Sequence, residues 1–266
     1  MGNDLTKNFR SYKEMDLICQ ELYKRGMVDQ PYIVTVSKSK QLLIFYGARH
    51  SNNIKDTQNS AIENEWNKFL TNKNGKKIAL CEGGLRPKEK SKSVSIKKYS
   101  EPGLLTWLAN RDNVPIISPE PDETKEIKYL QENGYSVAEI MTYYFGRQMY
   151  QWLKRDNLNY PDWEKYANRH IKSYAKLIPF QGSNLTTVNV IKMFKETTGS
   201  DFNNEAEALL YRLSDPTSNP VSAASGVFRD ISLYKSIKSA WYKGKDIFAL
   251  YGSGHAIVLE KALKEL

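Results

Sequence analysis

Only three histidines occur among the 266 residues, and two of them stand in matching places. Gly47-Ala48-Arg49-His50 follows the apolar run Leu42-Leu43-Ile44-Phe45-Tyr46, and Gly252-Ser253-Gly254-His255 follows Ile247-Phe248-Ala249-Leu250-Tyr251. Two carboxylates stand in comparable places, Glu82 directly after Lys77-Ile78-Ala79-Leu80-Cys81 and Glu120 shortly after Val114-Pro115-Ile116-Ile117. A neutral imidazole accepts a proton near neutral pH, and a neighbouring carboxylate fixes its tautomer and raises its basicity. These residue types therefore point to general-base activation of water, with His50 or His255 as the base and Glu82 orienting it or holding charge. The same nitrogen and oxygen donors suit Mn, Co or Zn better than Mg or Ca, which makes His50, Glu82 and His255 candidate ligands of a divalent transition metal. A metal-free acid/base site would use the same groups.

Such side chains must be brought together by the elements that carry them. The runs at 42–46, 77–81, 114–117 and 246–251 are short and apolar, and each is followed by helical sequence, as in a parallel sheet covered by helices. Parallel strands place their carboxyl ends on one side, so His50, Glu82, Glu120 and His255 are expected to converge on one sheet edge. The glycines before each histidine are expected to let the backbone turn sharply there. Residues 31–36 and 41–46 read as a hairpin, with the polar Ser37-Lys38-Ser39-Lys40 between them. Helices are expected at 9–26, 57–70, from Glu101-Pro102-Gly103 onward, and at 255–265. A mainly helical stretch follows at 124–132, 136–155, 161–177, 187–195, 203–213 and 226–241. The fold class is α/β: one domain, 1–266, with a mostly parallel central sheet covered by helices. A helical insertion at about 124–241 would lie between the third parallel strand and the last strand. His170 falls in a charged helical stretch and reads as ordinary surface.

Bulk composition narrows the class. Hydrophobic residues make up 40% of the chain, enough for a packed core, and no apolar run approaches the roughly 20 residues of a membrane helix. With no apolar signal-peptide core at its start, the chain is expected to be cytoplasmic. Cys19 and Cys81 read as free thiols in a helix and a strand, without a disulfide framework. The net charge is +9, and the densest basic cluster is Arg86, Lys88, Lys90, Lys92, Lys97 and Lys98. That stretch lacks interleaved aromatic residues, so it reads as a solvated loop and nucleic acid is not the expected partner. Gly252-Ser253-Gly254 lacks the third glycine of a dinucleotide fingerprint, and no Gly-x-Ser-x-Gly elbow or His-Glu-x-x-His helix is present.

The two Gly-x-x-His segments, with Glu82 after an intervening strand, resemble the superfamily that joins erythromycin esterases, TraB and Tiki proteins and ChaN-like haem-binding lipoproteins. Arg229-Asp230, before the last strand, resembles the Arg-Asp or Arg-Asn pair that often precedes the final motif. The resemblance implies an α/β fold with a pocket at the strand ends and, most commonly, hydrolysis: of esters in one branch, of peptide bonds with a metal in another. It adds Arg229, as a group for an anionic intermediate or a substrate carboxylate, and Asp230 to the candidate residues. The acidic residue that esterases carry shortly before the first histidine is absent, Tyr46 to Arg49 filling those places. The expected activity is cleavage of ester or peptide-type bonds in a small-molecule or peptide substrate. The alternative is a non-catalytic protein that holds haem or a small anionic ligand in the same pocket.

Overall fold

The expected hairpin forms as β1 (Tyr32–Lys38) and β2 (Gln41–Ala48), reversed through Ser39 and Lys40, both at positive φ. Two left-handed residues give a two-residue turn whose twist matches that of the flanking strands. The computed structural model describes residues 5–25, 27, 31–73, 75–156, 160–177, 185–202 and 207–266. Helix α1 (Tyr12–Lys24) precedes the hairpin; α2 (Thr57–Thr71), β3 (Lys76–Cys81), α3 (Lys92–Arg111) and β4 (Ile116–Ile117) follow it. Then come α4 (Glu123–Glu132), α5 (Val137–Gln151), a π-helical turn at Trp152–Asp156, α6 (Trp163–Leu177), α7 (Thr187–Thr198), α8 (Glu207–Ser214) and α9 (Pro220–Tyr242). The chain closes with β5 (Lys245–Gly252) and α10 (Ser253–Lys264). Residues 203–206 of the expected 203–213 helix lie outside the described residues.

The protein is a mixed α/β chain with a five-stranded, mostly parallel sheet in the order β1-β2-β5-β3-β4, only β1 running antiparallel to its neighbour. Successive side chains of a strand point to opposite faces, and the sheet obeys this closely. Leu43, Phe45, Ile78, Leu80, Ile247 and Ala249 pack on one face with Leu233, Ile237 and Trp241 of α9 and Leu259 and Leu263 of α10. Ile44, Tyr46, Ala79, Cys81, Phe248 and Leu250 pack on the other with Trp66 and Phe69 of α2 and Leu104 and Leu105 of α3. Burying each such side chain stabilises the fold by about 1.5–3 kcal/mol. Ala48 pairs with Gly252, and Cys81 with Leu250, so β2, β5 and β3 end nearly level.

Two compact units result: residues 1–120 with 230–266, and Pro121–Arg229. The second is helical, with its own core of residues that include Ile127, Ile140, Tyr144, Phe145, Phe194 and Leu210. The last part of the stretch expected at 124–241 packs with the sheet, and α9 begins at Pro220, earlier than the expected 226. The basic segment also departs from expectation, being loop only as far as Ser91. The Ser91 hydroxyl caps α3 by accepting the Val94 N–H, so Lys92, Lys97 and Lys98 are helical. No described helix is long and apolar enough to cross a membrane.

Helix α3 breaks at Ser100 (φ 57°, ψ −145°) and restarts at Glu101. Pro102 fits the first turn of the new segment, where its missing N–H has no helical acceptor to lose. Gly103 lets the preceding turn close on it: a Cβ there would lie 2.3 Å from the Ser95 carbonyl oxygen. The Ser95 hydroxyl donates to the Gly103 carbonyl at 2.9 Å and fastens the bend.

Candidate functional site

His50 lies two residues beyond β2 and is held on both sides. The Arg49 N–H donates to Gln58 Oε1, and Gln58 Nε2 donates to the Arg49 carbonyl, each at 2.7 Å, while the Arg49 guanidinium pairs with Asp56 at 3.1 Å. The His50 ring meets the restarted α3, where Nδ1 hydrogen-bonds Glu101 Oε1. The His50 side chain is 62% exposed, the Glu101 side chain 3%. With Nδ1 engaged by Glu101, Nε2 is the ring nitrogen on the side of Gly252.

Glu82 follows Cys81, whose side chain enters the α2/α3 face, so strand alternation turns Glu82 toward the α10 side. Its Oε2 accepts the Gly252 N–H at 2.7 Å. Gly83 and Gly84, at φ 73° and 90°, adopt a left-handed turn that other residues enter only at a cost. The Gly83 N–H donates to Glu120 Oε1 at 3.3 Å and the Gly84 N–H to Ser118 Oγ at 3.0 Å. Glu120 thus braces the turn that carries Glu82.

His255 occupies the first turn of α10 and is 13% exposed. Its Nδ1 pairs with Asp230 Oδ1 at 2.6 Å, and the Tyr12 hydroxyl donates to Asp230 Oδ2 at 2.8 Å, so both oxygens of this fully buried carboxylate are engaged. Nε2 stands 3.6 Å from Glu82 Oε1, an ion-pair contact too long for a good hydrogen bond. Burial disfavours the imidazolium, but Asp230 and Glu82 outweigh it and push the pKa up to about 10. His255 is therefore a cation at neutral pH. The Nδ1 atoms of the two expected bases, His50 and His255, are engaged by Glu101 and Asp230, while Glu82, the expected orienting or charge-holding group, faces Nε2 of His255.

These groups meet over Gly252, the last residue of β5. A Cβ placed there would lie 3.5 Å from Glu82 Oε2, 3.8 Å from His50 Nε2 and 3.9 Å from His255 Cδ2. The absent side chain leaves the space in which the three converge. Neither Gly47 nor Gly252 turns the chain through positive φ, contrary to the turn role expected of them. Gly47 lies inside β2, and a Cβ on it would sit 2.7 Å from the Tyr32 carbonyl oxygen and 2.9 Å from Ala256 Cβ. Its role is to let α10 start hard against the strand. Of the other expected residues, Asp230 joins the site through His255, and Arg229 is the last residue of the helical unit.

No group of three or more His, Cys, Asp or Glu side chains among the described residues is arranged to hold a metal ion. Both Nδ1 atoms face carboxylates, Nε2 of His255 carries a proton, and one oxygen of Glu82 is taken by a backbone N–H. The N-terminus of α10 adds positive partial charge beside His255, since Gly252 caps it without a side-chain hydrogen bond.

Glu101 and Tyr12 are the members that the sequence did not reveal. Glu101 carries the Glu-Pro-Gly signature of a helix start, which accounts for a carboxylate at that place without any distant partner. Against known proteins, no family model, no curated sequence and no solved structure matches this chain.

Proposed function

We propose that the chain is a hydrolase of the erythromycin esterase and TraB/Tiki type, cleaving ester or peptide-type bonds by metal-free acid/base catalysis. What carries this is the asymmetry of the two imidazoles: both are anchored at Nδ1 by a buried carboxylate, yet one is exposed and the other is a buried cation beside the same glycine. His50 Nε2 takes a proton from water as the water oxygen bonds to the acyl carbon. The charge that develops on the acyl oxygen is met by the His255 imidazolium and the N-terminal N–H groups of α10. His50 then returns the proton to the leaving alkoxide or amine as the C–O or C–N bond breaks. Glu82 fixes the position of His255 and of the Gly252 N–H, and Glu101 holds the His50 tautomer. Preorganised donors and an oriented base typically contribute about 10²–10³ and 10²–10⁴ in rate.

The test is a screen of p-nitrophenyl esters, lactones and short peptides with protein treated with chelator. Hydrolysis that persists after chelation and falls about a thousandfold in His50→Gln agrees with the mechanism. Activity restored only by Mn, Co or Zn, or unchanged in both His50→Gln and His255→Gln, refutes it. A Soret shift on adding hemin that disappears in His50→Gln, without turnover of any substrate, would instead make the chain a binding protein.

A further inference from the structure

Two consecutive residues of α3 are each unfavourable where they stand, and they adjoin His50. Ser100 has φ 57° and ψ −145°. Positive φ is tolerated by an L-residue in the left-handed well, at ψ of about 30–60°, so this ψ leaves Ser100 where a Cβ closes the map to all but glycine. Its hydroxyl makes no hydrogen bond to any described residue that would compensate. The other described residues at positive φ are glycines, the Ser39–Lys40 turn and Asn113, so a glycine at 100 is the ordinary solution and serine the exception. Glu101 follows, a carboxylate only 2% exposed on a segment that otherwise buries Ile96, Leu104, Leu105 and Leu108. A charge so buried costs stability unless it is paired. Its Oε1 meets His50 Nδ1, and its Oε2 accepts the Ser51 N–H at 3.4 Å.

We infer that Ser100 is a positioning residue: its strained backbone fixes the carboxylate of Glu101 and, through it, the ring of His50. This rests on the reading of His50 as the general base. The two segments of α3 are locked across the bend by the Ser95 hydroxyl, which donates to the Gly103 carbonyl at 2.9 Å, and by the missing side chain of Gly103, whose Cβ would lie 2.3 Å from the Ser95 carbonyl oxygen. Pro102 stiffens the first turn of the restarted segment. Ser100 is left as the joint, and its Cβ removes the neighbouring conformations into which a glycine would relax. Such strain persists where the surrounding packing over-determines it, and it belongs with sites that need a fixed geometry. Misplacing a reacting group by about 1 Å costs about a hundredfold in rate, which sets how closely the ring must be held.

Three measurements on the full chain compare Ser100→Gly with the conservative Ser100→Ala, which keeps the Cβ and should retain the wild-type value in each. Thermal unfolding reads the strain. Ser100→Gly is expected to raise Tm by about 2–4 °C, because relief of the backbone outweighs the freedom that glycine gains in the unfolded chain. The nitrogen-15 order parameter of the Glu101 amide reads the positioning without any substrate: near the rigid value of about 0.85 in the wild type, falling toward about 0.7 in Ser100→Gly. Hydrolysis reads the consequence, a kcat about tenfold lower in Ser100→Gly at unchanged KM. Glu101→Gln, expected to cost about a hundredfold alone, should cost only about tenfold more in the Ser100→Gly background, since a loosened carboxylate has less to lose. A Tm that falls in Ser100→Gly overturns the inference, as does an unchanged order parameter, an unchanged kcat, or additive effects of the two substitutions. A protein that hydrolyses nothing fails the hydrolase reading alone; Tm and the order parameter, which need no turnover, then decide whether Ser100 holds the Glu101–His50 pair.

Discussion

Two histidine–carboxylate pairs stand at one sheet edge, and their surroundings give them opposite properties. His255 and Asp230 are both shielded from water, the ring is squeezed between two carboxylates, and its proton is retained to about pH 10. At His50 the carboxylate is buried but the ring projects into solvent. The same two functional groups at hydrogen-bonding distance therefore give a buried fixed charge in one place and a solvent-facing ring in the other. At His255 the two facing carboxylates, Asp230 and Glu82, outweigh the burial that disfavours the charge.

The comparison breaks most visibly in stability. Asp230→Asn removes the nearer of the two carboxylates that face a buried imidazolium and is expected to cost about 3 kcal/mol at pH 7 by chemical denaturation. Glu101→Gln, whose partner is largely solvated, is expected to cost about 1 kcal/mol or less while lowering hydrolysis about a hundredfold. Equal losses of stability in the two variants would mean that the pairs do not differ as described.

The pH dependence sharpens the same contrast. His255 has a folded pKa above its ordinary value of 6.5, so its contribution is fully present below about 6.5 and is lost as the pH rises through about 10. Stability measured from pH 7 to 10 should decline in the wild type and in Glu101→Gln, and decline much less in Asp230→Asn. Parallel curves for all three would count against the buried cation.

Gly252→Ala should have the smallest effect on the fold. Its φ of −55° and ψ of 145° suit alanine, and the new methyl would make only ordinary contacts with Glu82, His50 and His255. Stability should stay within about 0.5 kcal/mol of the wild type. Activity should fall at least about tenfold, because the methyl occupies the space where water and the acyl group would meet the imidazoles. Full activity in this variant would place the reaction elsewhere.

Strands β2, β3 and β5 were legible in the sequence because they are buried on both faces and read as unbroken apolar runs. The convergence of their ends followed from parallel pairing. Glu101 was hidden because its partner lies fifty-one residues away and nothing local marks a long-range contact. The break at Ser100 was equally hidden, since serine carries no signal for positive φ and the bend depends on Ser95 and Gly103 meeting in three dimensions. Gly47 was noticed for a plausible local reason, a turn, when its actual reason is a helix packed against it from the far end of the chain. The split of α9 between two units had no sequence mark, because its apolar positions continue without a proline or glycine break at Arg229-Asp230.

The place of β5 between β2 and β3 has a consequence for how the molecule is made. Leu43 pairs with Ile247, and Ile78 pairs with Ile247 from the other side, so the sheet is joined by its latest-synthesised strand. A nascent chain that has reached Lys245 already holds β2 and β3, each with an apolar edge that lacks its neighbour. Such edges invite pairing with each other or with another chain. Closure over so long a sequence separation is slow, and the waiting intermediate is prone to aggregate. The imidazole–carboxylate cluster over Gly252 can assemble only after that step, so a chain that has not yet reached α10 does not carry it.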